Sequence, residues 1–254
     1  MMRRDRWIIV FGLFSVTALA WYYLTLMADG MNDMVMIGDA MAKMRIAPWT
    51  AVDFVLMFIM WMVMMVGMML PSASPMILMF AKIYRDQNQR GEPFVPTGIF
   101  VAGYIAVWGA FSLVATVLQC SLQDAGFLSP MMTSTSSVFS GLAFIVVGLY
   151  QWTPLKNACL RHCQSPLSFL MTRWRDGSAG AFQMGLSHGA YCVGCCWGLM
   201  ALLFVGGVMN LLWVAAITIF VLAEKNTQAG PWGARITGAA LIAWGGVTMT
   251  LVAN

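Results

Sequence analysis

Five of the six cysteines and both histidines of the 254-residue chain fall between Cys159 and Cys196. They form two groups, Cys159-x-x-His162-Cys163 and His188-x-x-x-Cys192-x-x-Cys195-Cys196. Thiolate and imidazole are soft and borderline ligands that suit Cu(I) or Zn(II). At 100° per residue a helix carries His188, Cys192 and Cys195 within about 60° of one another, with Cys196 about 40° to the side of Cys192. That spacing lets one helix offer several donors to one ion. A buried cysteine is more often a small apolar filler, and a lone histidine a hydrogen-bonded core residue. Seven such residues so close together instead point to a shared metal or thiol-redox site, with Cys159, His162, Cys163, His188, Cys192, Cys195 and Cys196 as the candidate ligands. A structural disulfide competes poorly in a reducing compartment, and haem poorly with only two histidines.

Methionine extends the sulfur chemistry, since it occurs 24 times, as often as glycine. On a helix Met57, Met60, Met64 and Met68 form a stripe about 80° wide that runs for ~16 Å, with Asp53 at its outer end. Thioether is a ligand for Cu(I) and a poor one for hard ions. Gap-filling between helices is the competing account of these methionines, and a favourable place at a helix N-terminus the competing account of Asp53. A second methionine-rich stretch, from Met27 to Met44, interleaves Asp29, Asp33 and Asp39. It reads as an outer loop that captures copper, or as an amphipathic stretch resting on the bilayer.

The elements that must hold these residues are membrane helices. Hydrophobic residues make up 60% of the chain and charged residues 9%, too little polar surface to cover a water-soluble globule. Apolar runs of about twenty residues match a ~30 Å hydrocarbon core. Seven runs stand out: Trp7 to Met27, Thr50 to Leu70, Thr97 to Gln119, Met131 to Trp152, Ala181 to Phe204, Val208 to Ala223 and Ala234 to Val252. The fourth run is expected to start at the Ser129-Pro130 cap, and Gly206-Gly207 to make a tight hairpin between the fifth and sixth. At the N-terminus basic residues and Ala18-Leu19-Ala20 imitate a cleavable leader, but the apolar run continues far enough to span.

Charge then sets the orientation. With the N-terminus cytoplasmic, Arg3, Arg4, Arg6, Lys82, Arg85, Arg90, Lys156, Arg161, Arg173, Arg175, Lys225 and Arg235 all fall inside, and only Lys43 and Arg45 outside. The expectation is an all-α membrane protein, one multi-pass domain over residues 1–254, as a bundle of about seven transmembrane helices with the C-terminus outside. A cytoplasmic loop over 154–180 would carry the first cysteine group. The net charge of +4 is a topology signal and gives no reason to expect nucleic acid. Glu224 and Lys225 read as a solvated helix end, and Cys120 lies at the far face. No phosphate-binding loop, dinucleotide fingerprint, nucleophile elbow or HExxH string is present.

The string Tyr150-Gln-Trp-Thr-Pro154-Leu-Lys156-x-x-Cys159-Leu-x-x-Cys163-x-x-Pro166, followed by Gly185-x-x-His188-Gly-x-x-Cys192-x-Gly194-Cys195-Cys196-Trp197 and Gly206-Gly207-Val-Met-Asn210-Leu, resembles the bacterial membrane family DUF2182. With the Met-Met-Leu-Pro71 end of the second helix, the resemblance covers roughly residues 50 to 250. It implies a bacterial inner-membrane location and metal binding, and supplies no reaction.

Three functions remain open. In the leading one, outer methionines collect Cu(I), the second helix passes it inward, and the Cys/His cluster holds it or delivers it to a metallochaperone or membrane partner subunit. Copper is favoured over zinc because sulfur predominates. A metal-dependent membrane oxidoreductase, or a subunit of one, would need an open coordination position. A structural zinc site would need a closed four-ligand shell. If one ion is shared, the nearest donors of the two groups should lie within ~4.5 Å, about twice a metal–sulfur bond.

Overall fold

The computed structural model describes residues 3–38, 49–88, 96–129, 133–226 and 230–253. These form ten helices and, among the described residues, no strand: α1 (Arg3–Gly38), α2 (Ala51–Asn88), α3 (Thr97–Asp124), α4 (Ser137–Gln151), α5 (Pro154–Gln164), α6 (Pro166–Arg173), α7 (Gly177–Ala201), α8 (Leu203–Gly206), α9 (Leu211–Asn226) and α10 (Gly230–Ala253). Four stretches, Arg6–Gly30, Ala51–Asp86, Thr97–Asp124 and Gly177–Gly206, are long and apolar enough to cross a membrane. Ser137–Gln151 with Pro154–Gln164 makes a fifth if their 66° bend lies within one broken span. The 16 residues of α9 reach only ~24 Å at helical rise, short of a ~30 Å core. Large apolar side chains such as Phe11, Leu19, Val114, Leu212, Ile219 and Ile236 stand exposed on the outside of the bundle, as lipid contact requires.

Several boundaries differ from the sequence expectation, each for a physical reason. The helix of α1 continues past Met27 to Gly38, so that part of the expected outer loop is helical. No proline interrupts residues 27–38, and the methionines among them are good helix formers. Met41, Met44, Lys43 and Arg45 lie outside the described residues, as do Arg90, Pro130 and Met131. The second helix does not stop at Pro71 but runs through Pro71 and Pro75 to Asn88. Ser72 Oγ donates to Met69 O at 2.8 Å, the kind of local hydroxyl bond that helps membrane helices tolerate proline. Beyond the prolines Met76, Ile77, Phe80 and Tyr84 keep a buried face at helical spacing.

The fourth helix starts at Ser137, not at Ser129-Pro130, because Ser136 supplies the cap: its Oγ accepts from Phe139 N at 3.3 Å. Segment 154–180 contains the helices α5 and α6. Thr153 caps α5 through Lys156 N, Pro154 occupies its first turn, and Pro166 restarts the chain as α6. The chain breaks at Gly206-Gly207, with Gly207 at φ +91°, a conformation other residues rarely adopt.

Glycine sets the closest helix contacts. A Cβ on Gly185 of α7 would strike the Phe100 carbonyl of α3, and one on Gly103 the Phe182 carbonyl, so these two backbones touch. Gly141 and Gly148 of α4 meet Gly245 and Gly238 of α10 in the same way. Small residues are how membrane helices approach closely enough for packing to hold them. The α3 to α7 contact matters most here, because α7 carries four of the candidate ligands.

Candidate metal centre

Cys192, Cys195 and Cys196 are all buried on α7, beneath α2, α3, α5 and α9. Their packing follows from the motif residues around them. Tyr150 at the end of α4 donates its hydroxyl to Gly194 O, and its ring meets Trp197 edge-on at 5.0 Å. Cys159 Sγ sits over Gly194, where a Cβ would come within 2.7 Å of the sulfur. Trp152 donates Nε1 to Arg235 O at 3.1 Å, which ties the α4 to α5 bend to α10. Asn210 accepts from Trp213 N at 3.2 Å and caps α9.

Two sulfur pairs bridge helices. Cys163 Sγ of α5 lies 3.9 Å from Cys195 Sγ of α7, inside the ~4.5 Å expected if the two groups meet. Cys196 Sγ lies 4.0 Å from Met69 Sδ of α2. The thiols of Cys195 and Cys196 also reach the Cys192 carbonyl, at 3.1 and 2.9 Å, which fixes their rotamers. Cys192 Sγ, besides adjoining Cys163 and Cys196, meets Tyr104 Oη at 3.1 Å and Lys225 Nζ at 2.9 Å. Lys225 Nζ further donates to Ser72 Oγ at 3.1 Å and approaches Met69 Sδ at 3.8 Å, so three acceptors surround its three N–H bonds.

Lys225 is 7% exposed, which corrects the expectation of a solvated helix end. Glu224 is likewise engaged: its carboxylate pairs with the fully buried Lys156 ammonium, which also donates to Gln151 Oε1. Paired in this way, the two charges escape the large cost of isolated burial. Gln164 donates to Glu224 O at 2.8 Å and completes the join between α5 and α9.

The histidines part company. His188 is buried among Phe100, Tyr104 and Phe169, with ring centroids 6.1, 5.6 and 5.6 Å away. Its Nδ1 and Trp108 Nε1 are the buried side-chain nitrogens without a hydrogen-bond partner among the described residues. His162 lies nearer the surface, stacked on Tyr191 at 4.2 Å and nearly parallel. Its Nδ1 is 2.8 Å from Ala158 O. A carbonyl can only accept, so that nitrogen donates, and in the neutral ring Nε2 presents the lone pair.

No group of three or more His, Cys, Asp or Glu side chains among the described residues is close enough to hold one metal ion. The donors meet as sulfur pairs instead of a closed shell. Along α2, Met60, Met64 and Met68 are buried, but so are Met65 and Met69 on other faces. The thioether that reaches a cysteine is Met69, which lies off the stripe. Met57 Sδ accepts from Gln119 Nε2 at 3.4 Å, and Gln119 Oε1 accepts from Trp61 Nε1 at 2.6 Å. Asp53 forms a reciprocal cap with Thr50, accepting from its N at 2.9 Å and returning its own N to Thr50 Oγ1 at 3.3 Å. Cys120 stands apart, with its sulfur 3.9 Å from Asp124.

Met69, Tyr104, Ser72 and Lys225 escape a reading of the sequence. The one available signal was a lysine ending an apolar run, beside the only acid in it. A family model described as PpoB2, copper chaperone, matches residues 58–248. No curated protein and no solved structure matches the chain.

Proposed function

The chain belongs to the PpoB2 copper chaperone family, and from that premise we propose that it holds Cu(I) at the buried sulfurs of α7 and passes it on within the membrane. The carrying observation is the Cys163 to Cys195 pair, 3.9 Å apart on different helices. Two sulfurs bonded to one ion at ~2.3 Å each can sit no more than ~4.6 Å apart, so this pair needs almost no movement to clasp it. Cys192 and the Met69 to Cys196 pair extend the sulfur surface inward. The lack of a three-ligand group among the described residues favours a transfer site of few ligands over a closed structural zinc shell.

Copper is the cargo in this reading. Cys159, His162 and His188 flank the pairs as further donors, and the orphaned Nδ1 of His188 is the most deeply buried of them. The stripe of Asp53, Met57, Met60, Met64 and Met68 would guide copper along α2, ending near Met69. Seven crossings, an inner-membrane location in a bacterium, the likeness to DUF2182 and delivery to a metallochaperone or membrane partner belong to the same proposal.

Metal analysis of purified protein tests it. Wild type should carry copper in preference to zinc. Cys192→Ser should lose most of it, because an alcohol stays protonated and binds soft ions poorly. Met64→Leu should keep the site filled while slowing copper movement. Zinc alone in wild type, with Met64→Leu silent in copper sensitivity, would contradict the copper path.

A further inference from the structure

Beside the sulfur site lies an open groove of about 700 Å³, lined by His162, Thr172, Arg173, Trp174 and Arg175. Its volume suits a small molecule and not a protein face. Its wall is built, not merely charged. Arg173 donates to Tyr191 Oη at 2.7 Å and lies over the same ring at 5.6 Å. Tyr191 in turn stacks on His162, so guanidinium, phenol and imidazole form one layered support from α6 to α5. Arg175 is held by Gln183, and its carbonyl accepts from Tyr84 Oη at 3.0 Å. Asp176, next to Arg175 in the chain, accepts from the Trp174 indole at 2.8 Å.

The groove borders α5 one residue before the sulfur pair begins. His162 lines it, and its chain neighbour Cys163 is the one member of the cluster between Cys163 and Cys196 that is only partly buried. Arg173 and Arg175 are the charged side chains of its lining, and no carboxylate is among the lining residues described. Free Cu(I) would gain nothing from such a rim, since like charges repel. Copper bound to an anionic thiol would be drawn in, with guanidinium forks matched to its carboxylates.

We propose that this groove docks a small thiol bearing carboxylates, with Cu(I) on its sulfur, and exchanges that copper with Cys163. The proposal rests on the copper reading above and names the carrier. On loading, a bond from copper to the carrier sulfur breaks and one to Cys163 Sγ forms. Copper stays at +1, and the Cys163 thiol proton passes to the released carrier thiolate. Cys195, 3.9 Å away, then adds its sulfur as the second ligand and gives up its thiol proton to solvent.

The test uses the full chain in zwitterionic lipid discs without oxygen, with Cu(I) supplied by glutathione or by cysteamine. By ordinary ionisation each bound glutathione carries about −2 and each cysteamine about zero. The double variant Arg173→Gln with Arg175→Gln should load about tenfold more slowly from glutathione and within about twofold of wild type from cysteamine. Arg173→Lys with Arg175→Lys should restore most of the glutathione rate, which a loss of folding could not explain. Added salt should slow loading of wild type from glutathione alone. Final copper content should be the same in every variant. Equal slowing from both carriers, or no slowing, overturns the groove while copper binding stands. Failure of wild type to bind copper at all overturns the copper reading and the groove with it.

Discussion

Lys225 Nζ lies 2.9 Å from Cys192 Sγ, although one residue ends α9 and the other sits midway along α7. Two thiolates around Cu(I) leave one net negative charge, and in a buried site that charge needs a partner. Lys225 is placed to be that partner. Lys225→Met should therefore weaken Cu(I) retention about tenfold or more in competition with a soluble chelator. Lys225→Arg keeps the charge and should retain most of the affinity. Equal affinity in wild type and Lys225→Met would remove the lysine from the site's charge balance.

The Lys156 to Glu224 pair makes a different prediction, about stability. Lys156→Met leaves a carboxylate 10% exposed without its cation, a change that typically costs about 3–5 kcal/mol. Thermal unfolding in detergent should show a clear drop. Adding Glu224→Gln should recover much of it, because no buried charge is then left alone. If the double variant is as unstable as the single, the pair is not what holds α5 on α9.

The α3 to α7 contact can be probed through Gly185, whose added methyl would strike the Phe100 carbonyl. Gly185→Ala should cost about 1–3 kcal/mol and, by shifting α7, lower copper occupancy as well. Gly246, with open space around its Cα, is the control, and Gly246→Ala should leave both unchanged. A Gly185→Ala protein with wild-type melting and copper would show that α7 has more freedom than the close approach implies.

Topology is testable without a structure. With seven crossings, a reporter inserted within 89–95 and one fused after Asn254 must report from opposite sides of the membrane. Finding both on the same side would refute an odd number of crossings between them and the inside-to-outside order drawn from charge.

The cysteine and histidine groups were legible because their chemistry is uncommon in an apolar chain and their spacing follows a helix. The approach of Cys163 to Cys195 followed from the same chemistry, since divided donors would serve one ion poorly. Helix limits were less legible where local rules and membrane context disagree. Pro71 and Pro75 would stop a helix in water, yet α2 continues through both. The methionine stripe showed the weakness of periodicity alone: burial on α2 extends around to Met65 and Met69, and the contact to cysteine comes from Met69. Lys225 was misread because a charge at the end of an apolar run looks the same whether it meets water or a buried thiol from another helix. Only the tertiary approach of α9 to α7 distinguishes the two.

The central claim is that Cu(I) binds between Cys163 and Cys195. X-ray absorption at the copper edge of the Cu(I)-loaded protein addresses it directly, with Cys195→Ser measured alongside. The account predicts a shell of two or three sulfurs near 2.3 Å in wild type. In Cys195→Ser that shell should lose a sulfur, and most of the copper should be gone. A wild-type shell made of nitrogen and oxygen, or a Cys195→Ser spectrum and copper content identical to wild type, would contradict it.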